Sequence, residues 1–157
     1  MPFPPIYDSS SQVLILGSFP SVKSRQYGFY YMNPHNRFWK LLAVLINPNF
    51  ISTNIDEKKQ LLLQHHIALY DVIGSCIIQG SSDSSIQQIV PNDIMTIINN
   101  SRIKHIILNG QKAYQEFCRY YPNLISTATL MPSTSPANAA SNFDKLISSW
   151  QKIKEFI

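Results

Sequence analysis

QVLILG, residues 12–17, is the stretch of sequence that decides the fold. It is a short run of apolar, mostly branched side chains that ends in glycine, which is typical of a strand buried in a parallel sheet. KHIILN, residues 104–109, has the same form and is followed by Gly110. The two segments predict two strands of a parallel sheet.

The rest of the chain alternates between strand and helix patterns. Two further strands are predicted, at Ile67–Ile73 and Ser126–Leu130. Helices are predicted over residues 33–46, with Asn33 as cap and Pro34 at the first helical position, and over residues 56–65, 91–100 and 111–120. A final amphipathic helix has an apolar face formed by Phe143, Leu146, Ile147, Trp150, Ile153 and Ile157.

This alternation predicts a three-layer α/β/α architecture with a central, four-stranded, mainly parallel sheet. The 157 residues fit a single domain, because one hydrophobic core typically serves about 100–200 residues. With 45% hydrophobic residues, the chain has enough apolar surface to bury such a core.

The charge distribution favours a polyanionic partner. The formal net charge is +4, and the first fifty residues hold a single acid, Asp8, against the four bases Lys23, Arg25, Arg37 and Lys40. Nucleic acid suits such a surface, although a mildly basic protein with no nucleic-acid role has the same composition.

Several other classes of protein are not indicated. Cys76 and Cys118 lie far apart, and two thiols cannot supply an all-cysteine zinc site or an iron–sulfur cluster, so no metal and no cofactor are predicted. The N-terminus lacks the pattern of a signal peptide, and no apolar run approaches the length of about 18 residues that a membrane-spanning helix needs. We expect a cytoplasmic protein with reduced thiols.

A polar segment follows each predicted strand. The carboxyl ends of parallel strands form the crevice in which α/β proteins bind their ligands. We therefore expect these segments to meet at one cleft: Ser18–Pro20, Gly74–Cys76, Asn109-Gly110 and Met131–Ser133.

The loop after the first strand combines rings and amides. It contains Tyr27, Phe29, Tyr30 and Tyr31, followed by Asn33, His35, Asn36 and Arg37. Rings stack on a flat ligand such as a nucleobase, which contributes about 1–3 kcal/mol per base, and amides read its edge. The alternative is that residues 29–31 are core aromatics that cover the edge of the sheet.

Four motifs, in order along the chain, resemble those of the uracil-DNA glycosylase superfamily. They are GSFPSVKS (17–24), YYMNPHNRFWKLL (30–42), YDVIGSCIIQGSSDSSI (70–86) and LMPSTSPANAA (130–140). The resemblance is greatest to the hypoxanthine-DNA (deoxyinosine) glycosylase branch and extends from about Val13 to Trp150. It implies an enzyme that removes a deaminated base from DNA.

The resemblance assigns roles to particular residues. Asn36 matches the catalytic asparagine of this branch, and Asn109 matches an asparagine implicated in base recognition. Phe19 stands where many relatives place the Asn or Asp that activates water; a phenyl ring cannot polarise water, so we expect it to stack on the extruded base. Ser18 and Tyr30 complete the predicted substrate-binding set.

The segment Pro132–Asn138 matches the loop that relatives press into the minor groove. Ser133 and Ser135 are expected to hold flanking phosphates, and Pro132 to contact the vacated base stack, with Lys23 and Arg37 as further DNA-binding residues. The alternative is a proline-stiffened turn before the last helix. Two positions depart from the family pattern: Asn33, where histidine is more usual, and Met131, where the classical uracil enzymes carry histidine.

The sequence thus predicts a monofunctional glycosylase that hydrolyses the N-glycosidic bond of hypoxanthine, or of uracil, in double-stranded DNA. No lysine lies in the strand-end segments, so water is the expected nucleophile. We expect a monomer, cytoplasmic and nucleoid-associated, of bacterial or archaeal type. The competing hypothesis is a basic α/β module that binds damaged or single-stranded DNA without cutting it. Asp71 and Asp83 could assist water or orient Arg37, but an aspartate near a strand end is more often a structural acceptor.

Overall fold

A computed structural model describes residues 3–77 and 87–157. Its centre is a four-stranded sheet in which every neighbouring pair is parallel, with the order β2-β1-β5-β6. The strands are β1 (Val13–Gly17), β2 (Ile67–Asp71), β5 (His105–Asn109) and β6 (Ala128–Met131). The predicted α/β architecture with a parallel four-stranded sheet is confirmed.

Helices cover both faces of this sheet because successive strand side chains point to opposite sides. Val13, Ile15 and Ile107 pack on one side with α2 (Phe38–Leu45), α3 (Ile55–Gln64) and α6 (Phe143–Trp150). Leu14, Leu16 and Leu108 pack on the other side with α4 (Ile94–Asn99) and α5 (Gln111–Tyr120). Short 3₁₀ turns at Pro48–Ile51, Pro122–Thr127 and Gln151–Glu155 complete the layers.

The second strand is shorter than predicted. Strand β2 ends at Asp71, and Ile73 already belongs to β3 (Ile73–Ile77), which pairs antiparallel with β4 (Gln87–Pro91) in a separate two-stranded sheet. The N–H groups of Val72 and Ile73 still donate to the carbonyls of Gly17 and Ser18, at 2.8 and 3.0 Å, and from Ile73 the chain pairs with β4 instead of continuing the main sheet. The predicted helix over residues 91–100 begins only at Ile94, where the Asp93 side chain caps it.

The loop after β1 also differs from the prediction. It contains a short helix, α1 (Val22–Tyr27), which Ser21 caps and Gly28 ends in the left-handed conformation, with φ of 75°. Helix α2 begins at Phe38 and not at Pro34, because Asn33 Oδ1 accepts the His35 N–H and Asn36 Oδ1 accepts the Phe38 N–H, each at 2.9 Å. Asn36 therefore lies in a turn before the helix.

The last strand and helix are also slightly displaced. Strand β6 begins at Ala128, two residues later than predicted, and α6 gives way to a 3₁₀ turn at Gln151. Asp83 and the rest of the polar segment 81–85 lie outside the described residues. Among the helices that are described, none is long and apolar enough to cross a membrane.

Candidate active site

A narrow cavity of about 100 Å³ opens at the carboxyl edge of the four-stranded sheet. Its walls come from the ends of β1, β2 and β5, from the aromatic loop, and from the loop after β6. Three of the predicted strand-end segments contribute to it: Ser18–Pro20, Asn109 and Ser133. The fourth, Gly74–Cys76, is not among the residues that line it, because it forms part of β3.

Asn36 lines this cavity from the turn before α2, and its side chain is half-buried. Its side-chain Oδ1 accepts the backbone N–H of Phe38, and its backbone N–H donates to the carbonyl of Asn33. The bond from Phe38 orients the carboxamide. Because Asn36 lines the cavity, the second lone pair of Oδ1 and the Nδ2 donors can serve a ligand, accepting from one group and donating to another.

Asn109, at the end of β5, is buried and bonded to Thr134 at both ends of its amide. Its Nδ2 donates to Thr134 Oγ1 and its Oδ1 accepts the Thr134 N–H, both at 3.0 Å. Thr134 is itself fully buried. This pair ties the end of the central sheet to the loop after β6, and the Asn109 amide also lies next to the Tyr31 hydroxyl.

Arg37, predicted to bind DNA, directs its guanidinium into the same loop. Its Nη2 donates to the carbonyls of Ser135 and Asn138 at 2.8 and 3.2 Å, its Nε to that of Thr134, and its Nη1 to that of Ser141. Four donors on four carbonyls hold the backbone of this loop in one conformation. A phosphate contact by Arg37 stays a prediction.

The loop Pro132–Asn138 is further braced from within and from below. Ser133 Oγ accepts the Ser135 N–H and Ser135 Oγ accepts the Ala137 N–H, both at 3.1 Å. The buried Trp150 indole donates to the Pro132 carbonyl at 2.9 Å. Pro136 and Ala137 are exposed at the tip. The loop is therefore a fixed, apolar-tipped projection beside the cavity.

Phe19 forms the wall contributed by the segment after β1. Its ring is half-buried, and the exposed Arg25 guanidinium lies 5.5 Å from the ring centroid. Lys23 is exposed on the same short helix. A ring at the mouth of a cavity and two cations outside it suit a flat ligand attached to a polyanion.

The core interpretation of the aromatic loop holds for Phe29 and Tyr30, which are each 2% exposed. The Tyr30 hydroxyl donates to the Pro4 carbonyl at 2.8 Å, and the Trp39 indole donates to the Tyr30 carbonyl at 3.0 Å. Burial first, and then the charge of Asp71, raises the pKa of Tyr30. Tyr30 reaches the cavity only as part of its packed wall.

Tyr31 and Asp71 form the floor of the cavity, which the sequence analysis did not anticipate as a pair. Tyr31 has φ of 55°, and its ring stacks on Phe38 with 4.2 Å between centroids. Its hydroxyl is buried, and no acceptor for its proton is in place within the described parts of the chain. Burial, and then the charge of Asp71, raises the pKa of Tyr31, while the nearby Asn109 side chain acts in the opposite direction.

Gly17 creates the space for these two groups. A Cβ at position 17 would lie 2.6 Å from Asp71 Oδ1 and 2.7 Å from Tyr31 Oη, closer than side chains can approach. Gly17 and Asp71 are also register partners in the sheet. The glycine that ends the predicted strand 12–17 and the aspartate within the predicted strand 67–73 were the signal that could have revealed this floor.

Within the described residues, no group of three or more His, Cys, Asp or Glu side chains is placed to hold a metal ion. Cys76 and Cys118 are half-buried and are not joined in a disulfide.

Comparison with known proteins identifies relatives over most of the chain. The model of the uracil DNA glycosylase superfamily matches residues 4–155. A protein of Methanosarcina acetivorans named hypoxanthine DNA glycosylase is 33% identical over 139 residues, which is 87% of this chain and 86% of the relative. Its namesake from Methanosarcina barkeri is 31% identical over 112 residues, 71% of each chain.

A solved structure shows the same architecture. The solution NMR structure that carries the name uracil DNA glycosylase, from Methanosarcina acetivorans, superposes with a TM-score of 0.81 at 32% sequence identity. The match covers 96% of this chain and 93% of that one.

Proposed function

This chain belongs to the uracil DNA glycosylase superfamily and is a DNA glycosylase, and on that premise we propose that it hydrolyses the N-glycosidic bond of hypoxanthine in double-stranded DNA. The cavity that joins Asn36 to a buried polar floor at the edge of the sheet is the observation that carries the proposal. The two relatives named hypoxanthine DNA glycosylase support that substrate over uracil.

Asn36 is the proposed catalytic residue. Breaking the bond leaves an oxocarbenium-like sugar and a base anion, so the site needs a held water on one side and donors to the base on the other. The remaining lone pair of Asn36 Oδ1 is suited to orient that water, while Nδ2 donates. No ionised base assists at position 19, so we expect a modest turnover.

A duplex buries the target nucleotide, so the base must first be flipped out, at a cost of a few kcal/mol that is smaller for a mispair. We propose that the braced loop Pro132–Asn138 enters the minor groove and fills the space that the base vacates. Phe19 then stacks on the base, Ser18 and Asn109 contact it, and Ser133, Ser135 and Lys23 meet flanking phosphates. In this proposal the protein acts as a monomer, without a metal, on the DNA of the nucleoid in the cytoplasm.

The release of free base tests the proposal. The protein is incubated with duplexes that contain inosine, uracil, xanthine or a G·T pair, and the freed base is measured. Hypoxanthine should be released fastest. Binding to all of these duplexes with no base released from any of them would contradict the proposal and support the competing DNA-binding module.

The product should be an intact strand with an abasic site. A glycosylase that also cleaves the strand needs an amine, usually a lysine, to attack the sugar. The described residues that line the cavity include no lysine, and Lys23 and Lys40 are exposed outside it. Inosine-containing DNA should therefore break only after alkali treatment. Strand breaks without alkali, together with a complex trapped by borohydride, would show that a lysine attacks.

A further inference from the structure

The floor of the cavity holds a hydrogen-bond donor that has no acceptor among the described residues. The Tyr31 hydroxyl is buried there, and a buried donor without an acceptor costs free energy in the folded state. Tyr31 also has a left-handed backbone, which is unfavourable for a bulky side chain. Two such costs at one residue are typical of functional sites.

A carboxylate lies beside that hydroxyl. Asp71 is 4% exposed, lines the same cavity, and approaches the same face of Gly17 that the Tyr31 hydroxyl approaches. The floor therefore presents a neutral phenol and a carboxylate side by side. By contrast, the amide of Asn109 is already bonded at both ends to Thr134.

This pattern is complementary to the edge that deamination creates on a base. Hypoxanthine carries a carbonyl oxygen that accepts beside a ring N1–H that donates, and uracil carries the same lactam arrangement. Adenine reverses the two, with an amino group that donates beside a ring nitrogen that accepts. A carboxylate can only accept, so it pairs with the lactam N–H and repels the adenine ring nitrogen.

We propose that Tyr31 and Asp71 are the specificity-determining pair of this enzyme, with the Tyr31 hydroxyl donating to the carbonyl of the flipped base and Asp71 accepting from its ring N–H. The inference rests on the proposed glycosylase function and names the atoms that distinguish a deaminated base from its parent. Because burial and the Asp71 charge raise the pKa of Tyr31, the phenol keeps the proton that it donates.

The experiment removes the phenol oxygen from the protein and the carbonyl oxygen that it is proposed to meet from the substrate. Single-turnover excision is measured for wild type and Tyr31→Phe on duplexes that contain deoxyinosine or deoxynebularine, whose base is purine and lacks both the carbonyl oxygen and the N1–H of hypoxanthine. Tyr31→Phe should lower inosine excision by about tenfold or more and change nebularine excision by less than about twofold. Tyr27→Phe removes a hydroxyl from a tyrosine that is 56% exposed on α1, and it should leave both rates unchanged.

Asp71→Asn adds a second readout, since a carboxamide can donate to a ring nitrogen where a carboxylate cannot. Its ratio of inosine to nebularine excision should fall below that of wild type. The Tyr31→Phe result stands alone if Asp71→Asn does not fold.

The outcomes distinguish a failure of this inference from a failure of the proposed function. If the wild type releases hypoxanthine and Tyr31→Phe slows both substrates equally, or neither, the pair does not read the lactam edge and only this inference is overturned. If the wild type releases no hypoxanthine from the inosine duplex, the proposed function is overturned and the inference falls with it.

Discussion

At the scale of single residues, the site depends on asparagines whose side chains first serve the backbone. Asn33 and Asn36 each accept an N–H two residues further along the chain, and Asn109 bonds Thr134 at both ends. A carboxamide held in this way cannot rotate, so its free donor or acceptor points in one direction. Fixed polar groups of this kind stabilise developing charge without reorganising.

Replacing Asn36 tests its catalytic role. Asn36→Ala should lower single-turnover excision by about tenfold or more, because the water loses its acceptor. Asn36→Asp keeps the oxygen that bonds Phe38 and adds an ionised base, so activity should be retained or rise. Asn33→Ala is the matched control, since it also removes an acceptor from a turn but does not line the cavity. Normal excision by Asn36→Ala would reject the assignment.

Filling the floor of the cavity should block the base. Gly17→Ala places a Cβ 2.6 Å from Asp71 Oδ1 and 2.7 Å from Tyr31 Oη, so both groups must move, and excision should fall by about tenfold or more. Gly28→Ala is the control: its Cβ meets nothing within 4 Å, but its φ of 75° costs about 1 kcal/mol of stability. It should unfold at a lower temperature and excise normally. Wild-type excision by Gly17→Ala would show that the base does not reach the floor.

The residues that line the cavity were predictable from sequence only where a motif or the end of a predicted strand indicated them. Phe19 and Asn36 follow from the resemblance and Ser133 from its place after a predicted strand; all three line the cavity, and their roles stay predictions. The pairing of Tyr31 with Asp71 depends on the register between β1 and β2, which no local pattern specifies. The sequence indicated Arg37 as a DNA-binding cation. In the structure its guanidinium donates to four backbone carbonyls of the loop after β6, about 100 residues away in sequence.

At the scale of elements, the break between β2 and β3 shows how tertiary contacts override a local pattern. Residues 67–73 have the pattern of one strand, yet β2 ends at Asp71, and from Ile73 the chain pairs antiparallel with β4. The N–H groups of Val72 and Ile73 bond the residues that end β1 and begin its loop, and the chain departs from the sheet directly after Asp71. The carboxylate is thereby left at the sheet edge and inside the cavity, which a longer β2 would not have done.

The loop after β6 should lose its fixed conformation along its whole length when Arg37 is replaced. Arg37→Lys keeps the charge but not the planar set of donors, so most of the four carbonyls lose their partner. We expect a loss of roughly 1.5–3 kcal/mol of stability, together with faster hydrogen exchange over residues 134–141. Excision from paired duplexes should fall more than excision from single strands, which need no wedge. Full rescue of duplex activity by lysine would indicate a phosphate contact instead.

At the scale of the whole molecule, the parallel sheet has the carboxyl ends of its four strands at one edge and their amino ends at the opposite edge. Lys23 and Arg25 lie on α1 beside the cavity, whereas Lys104 precedes the amino end of β5. Lys23 and Arg25 are therefore on the side of the molecule that must approach DNA.

Binding should depend on salt in proportion to the phosphates contacted. The logarithm of the association constant should fall by about 0.9 per contact for each decade of salt, and Lys23→Ala should reduce that slope by about 0.9. Lys104→Ala removes an exposed lysine from the opposite edge and should leave the slope unchanged. Titration of a fluorescent duplex at several salt concentrations measures both. A slope near zero in the wild type would indicate a substrate without phosphates.

The two tryptophans give the protein a pair of built-in optical reporters. Trp150 donates its indole N–H to the base of the loop Pro132–Asn138, and Trp39 donates to the aromatic loop at Tyr30. The emission maximum of an indole responds to the loss of such a bond and to the entry of water. Displacement of either loop should therefore shift the emission maximum of the tryptophan bonded to it. With one tryptophan replaced at a time, stopped-flow emission can follow the two sides of the cavity separately during base flipping, without any attached label.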